Sequence, residues 1–124
     1  MLFNTCGAHY EWFDDNTCSS QPIGSFDLFE DRYESAPAFS LWSFGIKKDY
    51  DRNKGFGQKM LKEAIVLANG KPIYLYVYKT NTPAIHIYQK AGFRIVGKYM
   101  GEQAWKMVLE SPVTINNERE LVQC

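Results

Sequence analysis

The sequence predicts an α+β fold: a mixed, mostly antiparallel central sheet in the order β-β-β-α-β-α-β-β, carrying two main helices. Three observations predict it. Aromatic-rich, partly alternating segments occupy residues 8–46, residues 56–68 repeat apolar side chains at helical spacing, and a dense apolar run at 72–78 precedes a second helical pattern.

The first strands are residues 8–13 (AHYEWF), 23–30 (IGSFDLFE) and 38–46 (AFSLWSFGI), separated by the turn-forming runs DDNTCSSQP and ESAP, which suits an antiparallel meander. In the first helix Met60, Leu61, Ala64, Ile65, Leu67 and Ala68 share the spacing, and Asn69-Gly70 supplies a left-handed stop. PIYLYVY, residues 72–78, has the composition of a strand covered on both faces, central in the sheet or beside a parallel neighbour. Thr82 is placed to cap the second helix, Pro83 suits its first position, Ala84, Ile87, Tyr88 and Ala91 recur at three and four, and Gly92 ends it. Residues 93–97 and 103–109 then form a hairpin with Gly101 near its turn. Residues 1–110 read as one domain, and the polar residues 111–124 as a tail.

Composition limits the function. A chain of 124 residues with 45% hydrophobic side chains can bury a real core, so it is globular. Fourteen basic and fourteen acidic residues cancel, so no global field draws it to a polyanion or an acidic membrane, and any anion site is local. Cys6, Cys18 and Cys124 lack C-x-x-C spacing and His9 and His86 are the only histidines, which suggests neither a zinc site nor a disulfide framework. The expectation is a reduced, cytoplasmic protein without a leader or membrane span.

The informative stretch is DRNKGFGQKML, residues 51–61. Gly55 and Gly57 sit where a helix begins, backbone amides point out unpaired, and the helix dipole favours negative charge. Such a place suits phosphate. The glycines lack the Cβ atoms that hold a ligand off, and Arg52 and Lys54 can reach diphosphate or ribose phosphate oxygens. A Walker loop is excluded because Gln58 follows Gly57, and a dinucleotide fingerprint because Met60 stands at the third glycine.

Arg52, Gly55 and Gly57 do satisfy R-x-x-G-x-G, and downstream come Asn81, Ala84 and Tyr88 ahead of Gly92-Phe93. With both motifs in order around a helix and a strand, residues 38–109 resemble the GNAT superfamily of N-acetyltransferases. The resemblance implies a GNAT-like fold whose strands before and after the glycine loop splay, leaving a wedge for the pantetheine arm of acetyl coenzyme A. Backbone groups near Phe44 and Ile46 would pair with that arm and polarise the thioester carbonyl. The amides of Arg52, Asn53, Lys54, Gly55, Phe56, Gly57 and Gln58 would hold the diphosphate, and Asn81 would face the arm. The implied reaction is direct acetyl transfer from sulfur to an amine, with no metal and no covalent enzyme intermediate. Tyr88 is the residue placed to donate to the departing thiolate.

Several family members carry a glutamate base on the strand before the loop, but SLWSFGI has no carboxylate. Glu11, Asp27, Glu30, Glu34 and His9 lie on or near the earlier strands, and none is singled out. Trp42 and Phe44 read as neighbours on one strand face, and Lys106 as an outward residue of an alternating strand. The segment from Ile46 to Gly55 is one residue longer than the usual family spacing, which a bulge could absorb. The family's usual strand and two helices before the meander do not fit in residues 1–37, which leaves the acceptor side open. An open side suits a lysine or terminal amine of a protein partner. It also suits a homodimer closing its own groove through Trp12, Phe13, Phe26 and Phe29. The competing functions are acetylation of a small amine (polyamine, amino acid or antibiotic) and a non-catalytic acyl-CoA-binding module. Neutral charge argues against a nucleic-acid substrate.

Overall fold

A computed structural model describes residues 2–13, 21–47 and 55–110. Its elements are β1 (Leu2–Cys6), β2 (His9–Trp12), β3 (Gly24–Tyr33), β4 (Ala36–Ile46), α1 (Phe56–Leu67), β5 (Ile73–Tyr78), α2 (Thr82–Lys90), β6 (Arg94–Tyr99) and β7 (Ala104–Leu109). The predicted order is present with one addition: β1, an exposed edge strand that the sequence reading leaves without an element. It passes through Gly7 and Ala8 straight into β2, with no helix between them.

All seven strands form one sheet in the order β1-β2-β3-β4-β5-β7-β6. Every pairing is antiparallel except β4 with β5, which α1 joins as a parallel crossover. The turns follow their chemistry. Glu34 and Ser35 adopt positive φ in the two-residue β3–β4 hairpin, Asn69 and Gly70 do so after α1, and Gly92 does so after α2.

Both helices cover one sheet face. Phe26 and Leu28 on β3, Leu41 on β4, Ile73 and Leu75 on β5 and Met107 on β7 point into a core with Met60, Leu61 and Ala64 of α1 and Tyr88 of α2. The indole N–H of Trp12 donates to Glu63 at 2.7 Å, tying β2 to α1. Trp12 and Phe26 therefore differ from their expected exposure: they are 2% and 0% exposed, because strand alternation turns them toward α1. Phe29, of opposite parity on β3, remains 49% exposed, and Phe13 meets Phe3 edge to face with centroids 5.4 Å apart.

This division has a measurable consequence. Phe26→Ala should lose ~3–5 kcal/mol in urea unfolding, as expected for a buried aromatic. Phe29→Ala should lose under ~1 kcal/mol, as surface positions do. Equal losses would contradict the assignment of faces.

Candidate active site

The sheet opens between β4 and β5. Their parallel register runs through Phe39–Ile73, Ser40–Tyr74 and Leu41–Leu75 and then stops. Beyond that point β4 stays paired to β3, and Tyr76 to Tyr78 stay paired to β7. The β5-facing backbone of Trp42 to Ile46 is thus left without a strand partner among the described residues. Opposite Phe26, the β3–β4 register shifts between Ser25 and Asp27, and Ser43 takes φ 54°. A bulged residue bends its strand and increases the local twist, which carries β4 away from β5.

The bulge also corrects the expected placement of Trp42 and Phe44, because an extra residue reverses the alternation. Trp42 lies on the helix-free face with its ring 5.5 Å from that of Tyr76. Phe44 lies on the helix face, 6.1 Å from Phe26 and 5.8 Å from Tyr88. Ile46 also packs against the core. The bulge in β4 precedes the Ile46–Gly55 segment, much of which, including Arg52, Asn53 and Lys54, lies outside the described residues.

Gly55 caps α1 with φ 74°, a conformation that glycine adopts without a Cβ penalty. Among the described residues no side chain caps this end, and no acidic residue stands in the first turn. The first intrahelical bond runs from Lys59 N–H to Gly55, leaving the amides of Gly57 and Gln58 without an intrahelical partner. Gly57 has a second reason to be small: a Cβ there would stand 3.0 Å from Ile87 Cδ1, in the seam between α1 and α2. A groove of about 330 Å³ follows that seam, lined by Gln58, Leu61, Lys62, Ile65, Ile87 and Lys90, among others.

Asn81, rather than Thr82, caps α2: its side-chain oxygen accepts from Ala84 N–H at 3.4 Å. Tyr88 lies between Phe44 and Phe93, at 5.8 and 5.7 Å. Burial pushes its phenol pKa well up, and the hydroxyl has no hydrogen-bond partner among the described residues. A buried hydroxyl ordinarily finds a partner, since leaving one unpaired is costly.

The helix-free face carries a cluster that the sequence reading does not assemble. The signal was present in PIYLYVY, where tyrosine at every second position sends Tyr74, Tyr76 and Tyr78 to one face. Tyr76 stacks on Tyr99 with centroids 3.8 Å apart. Tyr74 donates a hydrogen bond to Asp31, which lowers the Asp31 pKa, while burial and that bond push Tyr74 up to about 12. Lys106 Nζ sits 4.7 Å from the Tyr74 ring centre, 5.3 Å from Tyr33 and 5.8 Å from Tyr76. Among the groups considered as a base, His9 Nδ1 and Asp27 form a pair at 2.7 Å, whereas Glu30 and Glu34 are exposed. Exposed Cys6 carries no disulfide, and no cluster of three metal-ligating side chains occurs among the described residues.

A model of the acetyltransferase (GNAT) family matches residues 3–93. A "Probable spermine N(1)-acetyltransferase" of Bacillus subtilis subsp. natto (strain BEST195) is 37% identical over 79 residues, covering 59% of this chain and 51% of that protein. The match thus spans about half the length of that relative. The NatC complex bound to Gag peptide and CoA aligns with TM-score 0.68 and 21% identity over 83% of this chain and 70% of its own. A GNAT-family acetyltransferase from Streptococcus pneumoniae gives 0.64 and 25% over 82% and 65%. Arabidopsis thaliana NAA60 in complex with acetyl-CoA gives 0.61 and 21% over 82% and 74%. Among the described residues, no helix is long and apolar enough to cross a membrane.

The raised Tyr88 pKa predicts alkaline behaviour of definite sign. Above pH ~10 the unfolded tyrosine ionises while the buried one does not, so stability falls by up to ~1.4 kcal/mol per pH unit for this group. Tyr88→Phe should lessen the fall of urea-derived stability between pH 10 and 12, the remainder coming from the other raised phenols such as Tyr74; an unchanged slope would mean that the Tyr88 phenol is not buried as described.

Proposed function

The chain belongs to the acetyltransferase (GNAT) family, and from that premise we propose that it transfers acetyl from acetyl-CoA directly to an amine arriving on the helix-free face. The observation that carries this reading is the parting of β4 from β5 together with a start of α1 that no described side chain caps, and with a buried Tyr88 hydroxyl, unpartnered among the described residues, whose ring lies against Phe44 of the opened strand. Those features fit the co-substrate. An elongated amide chain needs backbone partners, which Phe44 and Ile46 offer along the unpaired edge. A diphosphate needs amides and a positive dipole end, which Gly55, Gly57 and Gln58 offer, with Phe56 keeping the role that the family motif implies. Arg52, Asn53 and Lys54 keep the phosphate-binding role that the family motif implies, and Asn81 directs its amide N–H toward the arm. The unit that does this is a single domain of residues 1–110 with a polar tail at 111–124, working in the reduced cytoplasm.

The chemistry assigned to the chain is positioning and proton management. Burial keeps Tyr88 protonated throughout the working pH range, so the phenol is always available as a donor. The same burial makes it reluctant to surrender its proton. Tyr88 therefore stabilises the departing sulfur mainly through a hydrogen bond rather than by complete transfer.

For the acceptor, the openness of the helix-free face among the described residues favours an amine carried by a bulky partner, a lysine or terminal amine of a protein. A second reading, a small polyamine, is favoured by the 37% identity to a protein named as a probable spermine acetyltransferase. A non-catalytic acyl-CoA-binding module would need the α1 start and not Tyr88.

Two variants separate these roles. Tyr88→Phe should lower kcat by ~10²-fold or more, within the range for a positioned acid, while leaving the calorimetric affinity for CoA unchanged. Gln58→Glu places a carboxylate in the first turn, where it suits the helix dipole, so folding is spared. It should nonetheless weaken CoA binding by ~10-fold, the equivalent of about 1.4 kcal/mol of charge repulsion. An unchanged CoA affinity in Gln58→Glu would refute the phosphate site, and an unchanged turnover in Tyr88→Phe would refute the acid role.

A further inference from the structure

We propose that Trp42 sets the length of the acyl group the protein accepts: with Tyr76 it closes the narrow end of the wedge around a two-carbon acyl and turns away longer chains. The inference rests on the acetyltransferase reading above and names the acyl donor of that same site.

Direction comes first. Phe56, the first residue of α1, packs 5.9 Å from Trp12, and Trp12, Gly24 and Ile46 lie in one register row across β2, β3 and β4. The start of α1 therefore stands at the Ile46 end of β4. An arm held there by its diphosphate and running along the edge that β5 leaves travels from Ile46 back toward Trp42, roughly 13 Å by strand rise. Its sulfur end arrives where the ladder between β4 and β5 closes at Leu41 and Leu75.

Enclosure comes second. Trp42 and Tyr76 are the first residues past that ladder, and their ring centroids, 5.5 Å apart, bridge the opening on the helix-free face. Phe44 and Tyr88 do the same on the helix face at 5.8 Å. Rings at such separations are in contact, so no alkyl chain passes between them. An acyl group at the narrow end thus has the closed ladder ahead of it and an aromatic pair on either side.

The bridge on the helix-free face is also stiff. The Trp42 indole N–H donates to Ser40 Oγ at 2.8 Å, and Ser40 is itself buried. Tyr76 stacks on Tyr99 with centroids 3.8 Å apart and meets Tyr74 edge to face at 5.8 Å. An acetyl ends one methyl beyond its carbonyl carbon, whereas each further methylene has to displace a ring held in this way. In a close-fitting apolar pocket one methylene changes discrimination by about 10-fold or more. The amine does not need the bridge to open. Farther along the wedge a side chain at Gly45 would meet nothing within 4 Å, and Tyr78 is exposed, which leaves a way in beside the ring pair.

The test is calorimetric and uses no acceptor: CoA, acetyl-CoA, butyryl-CoA and hexanoyl-CoA are titrated into the full chain, Trp42→Ala, Trp42→Phe and Phe3→Ala. Trp42 is 39% exposed, so its truncation spares the core, and Phe3 is an exposed aromatic remote from the wedge on β1. The parent should bind acetyl-CoA at least as tightly as CoA and hexanoyl-CoA at least 10-fold more weakly, with butyryl-CoA between them. Trp42→Ala should bring hexanoyl-CoA within about 2-fold of acetyl-CoA while leaving CoA affinity unchanged, Trp42→Phe should fall between, and Phe3→Ala should keep the parent's ratio. Equal binding of all four by the parent, an unmoved ratio in Trp42→Ala, or a loss of CoA affinity in that variant would overturn the role of Trp42. If CoA fails to bind the parent, the acetyltransferase reading falls as well; if CoA binds and hexanoyl-CoA binds equally, only the Trp42 proposal falls.

Discussion

The structure depends on the separation of two neighbouring strands. A parallel pair would ordinarily continue its ladder to the strand ends, and leaving buried amides unpaired is unfavourable. Here the ladder between β4 and β5 ends at Leu41 and Leu75 because Ser43 turns into the left-handed region and bends β4 outward. For a residue with a Cβ that conformation costs about 1–2 kcal/mol, so surrounding packing has to hold it. The packing is visible. Phe26 stacks on Tyr10 at 5.4 Å and abuts Phe44, and Gly24 lets β3 and β4 close up, since a Cβ there would lie 2.7 Å from the Gly45 carbonyl. Backbone strain of this kind persists where the neighbourhood over-determines it.

Because the bulge reverses the strand alternation, it also divides the chemistry between two faces. Phe44 goes to the helix face, joining Tyr88 and the start of α1 as the side proposed for the co-substrate. Trp42 goes to the other face, joining Tyr76 and the tyrosine-caged lysine as the side proposed for the acceptor. One displaced residue thus sends Trp42 and Phe44 to opposite faces of the sheet.

Much of this is legible in the chain and some of it is not. Helix α1 is readable because Met60, Leu61 and Ala64 are spaced for one face and Asn69-Gly70 stops it, and α2 because Pro83 and Gly92 punctuate it. β1 is not readable: LFNTC is a short, mostly exposed edge strand whose pairing to β2 leaves little periodic signature. Trp12 and Phe26 read equally well as surface contacts, since alternation alone does not say which side of a strand meets the helices. The cap of α2 falls to Asn81 one residue early, within the ordinary ambiguity of helix ends.

What the sequence determined by itself was every element but β1, their order and the glycine-led entry to α1, because periodicity, turn residues and capping act between residues a few positions apart. Tertiary structure alone decided the turn of Ser43, the opposite destinations of Trp42 and Phe44, the dry setting of Tyr88 and the gathering of Tyr33, Tyr74, Tyr76 and Lys106 from three strands. Those features arise from register and packing between segments distant along the chain, and the free energy that selects them belongs to the contact rather than to either segment alone.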